Sequence, residues 1–225
     1  MKKLPILFDI NEYLYCKDPE SSALGKKIIE QSIIMIDDLG FERFTFKKLG
    51  DQIGSNESSI YRYFKSKHTL LLYLINWYWS WKEYQLAFFT TNIKDPKEKL
   101  TRSIKLLTQN IEEDQNFSYI NEVLLHKIIV AESIKAYLTK DVDSENAKGY
   151  FKPYKKVVDQ VSDFILQINP NYKYSHMMVS TLIEGAHQQQ FFSEHLPALT
   201  DVEKGKESIV CFYTNLVFNA IKNEA

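Results

Sequence analysis

Gly40 to Leu72 reads GFERFTFKKLGDQIGSNESSIYRYFKSKHTLLL, and this stretch decides the fold. Thr45 stands where a helix cap belongs. Phe46, Leu49 and Ile53 follow at the three- and four-residue steps that share a helix face. Gly54 stops that segment. Ser55 is expected to cap the next short helix, with Glu57 in its first turn, where the helix dipole favours an acid. Ile60 and Phe64 lie four apart on it, and Ser66 then caps a long helix from Lys67 to about Thr91. Two short helices joined by a tight turn and pinned by inward apolar side chains make a helix-turn-helix. The second helix of that motif enters the major groove of DNA.

The same spacing turns Glu57, Ser58, Ser59, Tyr61, Arg62 and Tyr63 outward on the second helix. Cations cluster here: Arg43, Lys47, Lys48, Arg62, Lys65 and Lys67 stand against Glu42, Asp51 and Glu57. The whole chain is almost neutral, with 28 Lys+Arg and 29 Asp+Glu, so bulk charge carries no argument for nucleic acid. A local basic face is the electrostatic footprint of phosphate binding. Lys67 sits in the first turn of its helix, where the dipole disfavours a cation by up to about 1 kcal/mol. A phosphate docked there would reverse that sign.

Outward from the motif, the 225 residues hold only seven glycines and six prolines, too few turn residues for a sandwich or barrel. Residues 1–22 form a mixed leader to which no role is assigned, although Lys2 and Lys3 could touch DNA. Its start looks like a signal peptide until Asp9, Asn11 and Glu12 cut the apolar run. Apolar residues recur at helical spacing from Ala23 to Leu39, where Gly40 ends the helix. Further helices are expected from Pro96 to about Asp114 and from Phe117 to Thr139. Others follow from Tyr150 to Ile168, Ser175 to His195, and Asp201 to Asn223. Lys140 to Gly149 reads as a polar loop, and no strand pattern emerges. The chain is therefore expected to be all-α. A three-helix domain (23–72) follows the leader (1–22) and precedes a helical bundle (73–225).

The stretch resembles the DNA-binding domain of the TetR (tetracycline-repressor) family. The matching residues are Gly40-Phe41, Phe44-Thr45, Leu49, Ile53-Gly54-Ser55, Ile60-Tyr61-Arg62-Tyr63-Phe64 and Ser66-Lys67. Gly50 departs from it, standing where the family usually has Ala, and should loosen the first motif helix slightly. The resemblance implies a transcriptional regulator, commonly a repressor, that binds double-stranded operator DNA. Thr45, Tyr61, Tyr63 and Lys67 then look like phosphate contacts. Lys47, Glu57, Ser58 and Arg62 look placed to reach base edges, with Lys48 and Ser59 on the same surface.

The resemblance also implies that residues from about 85 onward bind a small-molecule effector and form a homodimer. Trp77, Tyr78, Trp79, Trp81, Tyr84, Phe88 and Phe89 make a dense aromatic run that reads as core or as pocket. With Phe117, Tyr119, Tyr150, Phe151, Tyr154, Phe191 and Phe192 they could line an apolar cavity. Trp81, Phe88, Tyr119, Tyr154 and Phe191 are the candidate effector residues. The last two helices are the candidate dimer element. Val179, Leu182, Ile183 and Ala186 share a face on one, and Ile209, Phe212, Leu216 and Ile221 on the other. Val210, Tyr213, Val217 and Phe218 widen the second apolar arc. Glu184 and His187 have the spacing of one metal-binding pair, but one pair is not a site. Cys16 and Cys211 match no zinc spacing, and no catalytic motif, cofactor site or membrane span appears. The reading is a cytoplasmic regulator rather than an enzyme. A helical carrier of hydrophobic molecules is the rival, and a carrier has no use for the basic cluster.

Overall fold

The computed structural model describes residues 8–111, 119–203 and 205–222, and every regular element among them is helical. In chain order these are α1 (Ala23–Leu39), α2 (Phe46–Ile53), α3 (Glu57–Tyr61), α4 (Lys67–Thr90), α5 (Pro96–Thr108), α6 (Glu122–Glu132), α7 (Ile134–Tyr137), α8 (Val142–Ala147), α9 (Lys152–Ile168), α10 (Ser175–His195) and α11 (Ser208–Lys222). Caps set several of these limits. Ser22, Thr45 and Asp95 each accept a hydrogen bond from an orphan backbone N–H of the helix they precede.

Four expectations are corrected. The helix opened by Pro96 stops at Thr108, because Gln109 is extended; the expected helix limits Asp114 and Phe117 lie outside the described residues, as do Lys2, Lys3 and Asn223. The helix expected to reach Thr139 is two pieces, α6 and α7, meeting at Ser133. The polar run 140–149 holds the short helix α8, whose buried Glu145 accepts a 2.7 Å hydrogen bond from His68 Nε2. The last helix begins at Ser208 rather than Asp201, since Gly205 has φ +79°, which a right-handed helix cannot contain.

The chain divides into two compact units, one of Met1–Ser80 with Ile111–Lys152 and one of Trp81–Asn110 with Pro153–Ala225. In the first, α1 packs on α2, on α6 and on the 3-10 turn Pro19–Ser21, while α2 packs on α3. The leader is part of this unit's core: Leu14 is fully buried, the Cys16 N–H donates to the Tyr63 carbonyl at 2.8 Å, and Asn11 Nδ2 donates to the Lys148 carbonyl at 2.9 Å. In the second unit α5, α10 and α11 pack on one another. The last carbonyls of α5 have no partner within their helix. Lys82 Nζ donates to that of Leu106 at 3.1 Å and Gln190 Nε2 to that of Thr108 at 3.3 Å.

Candidate nucleic-acid interface

The α2–α3 pair is built from the inside. Phe46, Leu49, Ile53, Ile60 and Phe64, the five side chains expected to pin it, are all buried. Gly54 closes α2 with its N–H on the Gly50 carbonyl, and the Ser55 N–H follows onto the same oxygen at 2.9 Å. The chain then extends through Asn56, which caps α3 in place of the expected Ser55. The Asn56 Oδ1 accepts from the Ser59 N–H at 2.9 Å, from Ser58 Oγ at 2.8 Å and from Ser59 Oγ at 2.6 Å. Sequence reading missed Asn56 because Ser and Asn are about equally good caps and stand side by side.

Thr45, Lys47, Lys48, Ser58, Tyr61 and Arg62 are exposed on this pair, and Glu57 and Ser59 are partly exposed. Tyr61 leans its ring edge-on to Phe46, with centroids 5.1 Å apart, which fixes its direction while leaving about half of it in solvent. Tyr63, expected to face outward, is 3% exposed. Its hydroxyl is 2.8 Å from Ser22 Oγ, and Lys17 Nζ lies 5.2 Å over its ring. The cause is the leader: residues 14–22 fold over the end of α3 and convert an apparent surface position into packing.

Half of the basic cluster has a local partner. Arg43 Nε donates to the Leu39 carbonyl at 2.7 Å and Lys48 Nζ to that of Arg43 at 2.9 Å. Lys67 Nζ donates to the carbonyls of Phe41 and Glu42 at 3.0 and 3.1 Å and stands 4.7 Å over the Phe41 ring. Arg43 thus caps the last carbonyl of α1, where the helix dipole favours a cation, while Lys48 and Lys67 hold carbonyls of the turn that follows, residues 41–43. Lys67 therefore points back to the turn before α2, and not outward as the phosphate reading requires. Lys47, Arg62 and Lys65 are exposed on α2, at the end of α3 and just beyond it, and Arg43 and Lys48 are exposed beside their carbonyl partners.

The candidate effector residues are dispersed. Tyr119 belongs to the first unit, where it hydrogen-bonds Glu20 and carries Lys26 Nζ 5.4 Å over its ring. Trp81, Phe88, Tyr154 and Phe191 belong to the second. Trp81 is buried, whereas Phe88 is 69% exposed and Phe191 is also exposed, its ring 4.5 Å from that of His195. The Tyr154 hydroxyl donates to Glu184 Oε1 at 3.0 Å. Among the described residues no group of three or more His, Cys, Asp and Glu is placed to hold a metal ion, and no helix is long and apolar enough to cross a membrane.

A short exposed helix, pinned through the buried apolar face of α2 and bearing hydroxyl, carboxylate and guanidinium groups, defines a helix-turn-helix fold of the DNA-binding class. Residues 28–74 match the family described as bacterial regulatory proteins, tetR family. No curated protein matches the chain in sequence. Solved structures share its fold at low identity. The superantigen PfiT is 17% identical over 92% of this chain and 100% of its own, with a TM-score of 0.59. AibR, solved with isovaleryl coenzyme A and operator DNA, is 18% identical over 86% and 98%, with a TM-score of 0.57. A Saccharomonospora viridis protein solved with choline is 14% identical over 90% and 98%, with a TM-score of 0.58. Residues 28–74 thus carry the N-terminal domain of that family, and the helical fold around them is the one these structures share.

Proposed function

We propose that this protein is a repressor that binds double-stranded operator DNA as a homodimer and lets go when a small effector binds. The observation that carries the reading is α3 itself: its inner side chain Ile60 is buried while Ser58, Tyr61 and the adjoining Arg62 are exposed. Arg62 is assigned to base edges, where a guanidinium bridges guanine O6 and N7, and Glu57, Ser58 and Lys47 to neighbouring positions. Thr45, Tyr61 and Lys48 are assigned to the flanks and Ser59, beside Ser58, to the base-facing side; Tyr63 is buried and takes no part.

Residues 23–72 form the DNA domain in this reading and residues 73–225 the effector and dimer domain, in a protein that works in the cytoplasm. Trp81, Tyr154, Phe88 and Phe191, with Tyr119, stay as candidate contacts for an apolar or aromatic effector. AibR binds an acyl coenzyme A and the Saccharomonospora viridis protein choline. Neither ligand is carried over to this chain. The effector acts only through unequal affinity for two conformations, and α4 runs from one compact unit into the other. Homodimerisation is assigned to α10 and α11. A gel-shift titration on the duplex upstream of the protein's own gene, at low salt, tests the reading. Retardation with two chains per duplex is expected; indifference to every duplex at low salt overturns it.

A further inference from the structure

Three donors converge on one oxygen at the start of α3. The Ser59 backbone N–H donates to Asn56 Oδ1, and an N–H can only donate. This fixes which end of the Asn56 amide faces α3. The two hydroxyls that reach the same oxygen, Ser58 Oγ at 2.8 Å and Ser59 Oγ at 2.6 Å, must then each spend their single hydrogen on it. What each serine keeps for any other partner is its oxygen lone pairs. The neighbouring Glu57 carboxylate also only accepts. Arg62, at the other end of α3, only donates.

We propose that Asn56 is a specificity-determining positioning residue. By holding the hydroxyl hydrogens of Ser58 and Ser59, it turns both serines into acceptors that select major-groove amino groups, adenine N6 or cytosine N4. The proposal deepens the DNA-binding reading and rests on it. A serine is ordinarily indifferent, since its hydroxyl rotates to donate or accept and can meet any base. Here donation to guanine N7 or thymine O4 would first break a bond to Asn56.

The test uses the full chain and a duplex selected from a pool with a randomised core. In the selected duplex each adenine is replaced by purine and each cytosine by 2-pyrimidinone, which deletes the amino group. Separately, each purine is replaced by its 7-deaza analogue, which deletes N7. At one or more positions, amine deletion should weaken wild-type binding by roughly 3- to 10-fold. The same deletion should leave the Ser58→Ala/Ser59→Ala variant unaffected. Asn56→Asp, which keeps the acceptor, should retain the wild-type pattern. Asn56→Ala should lose amine sensitivity and acquire sensitivity to 7-deaza purines. The proposal is overturned if the sensitivity that the double serine variant loses is to N7, or if it loses none. It also fails if Asn56→Ala, with helix content intact by circular dichroism, keeps the amine pattern. Failure of any duplex to enrich overturns the DNA reading itself, a different result from enrichment with the wrong atoms read.

Discussion

A Cβ on Gly50 would stand 2.7 Å from the Ser55 carbonyl oxygen in the turn between α2 and α3 and 3.3 Å from the nitrogen of Glu57, which opens α3. Read from sequence, this glycine is a slightly poorer helix former than alanine. In the structure its missing methyl lets the turn close onto α2. Alanine would gain about 1 kcal/mol of helix propensity, but pushing a turn off its helix costs about 1–3 kcal/mol. Gly50→Ala is therefore expected to lower the stability of the full chain by about 1 kcal/mol, measured by urea unfolding. A stabilised variant would show that the turn gives way freely. Lys67 carries the second residue-scale prediction. Its position marks it as unusual in sequence, yet spacing cannot say which oxygen an ammonium serves. With Nζ on the Phe41 and Glu42 carbonyls, Lys67→Ala should lower the unfolding midpoint. It should leave the salt dependence of DNA binding unchanged. A slope smaller by about 1 would instead return Lys67 to the phosphates.

Between elements, the two faces of α11 behave oppositely. Ile209, Tyr213, Val217 and Ile221 recur every fourth residue and are buried, whereas Phe212 is 57% and Leu216 42% exposed. Sequence alone grouped Phe212 and Leu216 with Ile209 and Ile221, because an apolar arc this wide does not say which edge is covered. Phe212→Glu/Leu216→Glu is expected to leave the protomer folded and shift sedimentation from dimer to monomer. Val217→Ala, by contrast, should destabilise the fold by about 1–3 kcal/mol. A dimer that survives the double charge places the interface elsewhere. The long helices α1 and α10 were legible to the residue because periodicity runs over several turns in each. α3 is five residues long, too short for its spacing to choose between Ser55 and Asn56 as cap or to show that the leader covers Tyr63, just beyond its end. On α10, His187 is buried, and burial followed by the nearby Lys82 charge lowers its pKa to about 4. The unfolded chain takes up that proton near pH 6.5. The neutral ring's contribution is complete above pH 6.5 and lost as pH falls from 6.5 to 4, by up to about 3 kcal/mol. His187→Gln should flatten that limb of stability against pH, read as urea midpoints at pH 7 and 4.5. An unchanged limb would assign acid sensitivity to other groups.

For the molecule as a whole, a formal net charge of −1 means that attraction to DNA comes from one face and not from the bulk. The fold class followed from composition and helical period. The partition into two units did not, because residues 111–152 lie far along the chain from the 1–80 segment they pack with. Nor could the sequence show that Arg43 and Lys67 hold backbone carbonyls, which leaves the interface fewer cations than their number suggests. That reduction has a measurable consequence once two protomers act together. Each phosphate neutralised contributes about −0.9 to the slope of log affinity against log salt. A symmetric dimer engages both half-sites, one helical turn of about 34 Å apart, with the same residues from each chain. Its slope should therefore be twice that of a folded monomer on a single half-site. The Phe212→Glu/Leu216→Glu variant supplies that monomer, and fluorescence anisotropy on a half-site duplex between about 50 and 200 mM salt should return half the wild-type slope. Equal slopes would mean that one protomer makes all the backbone contacts. The dimer would then serve regulation and not grip.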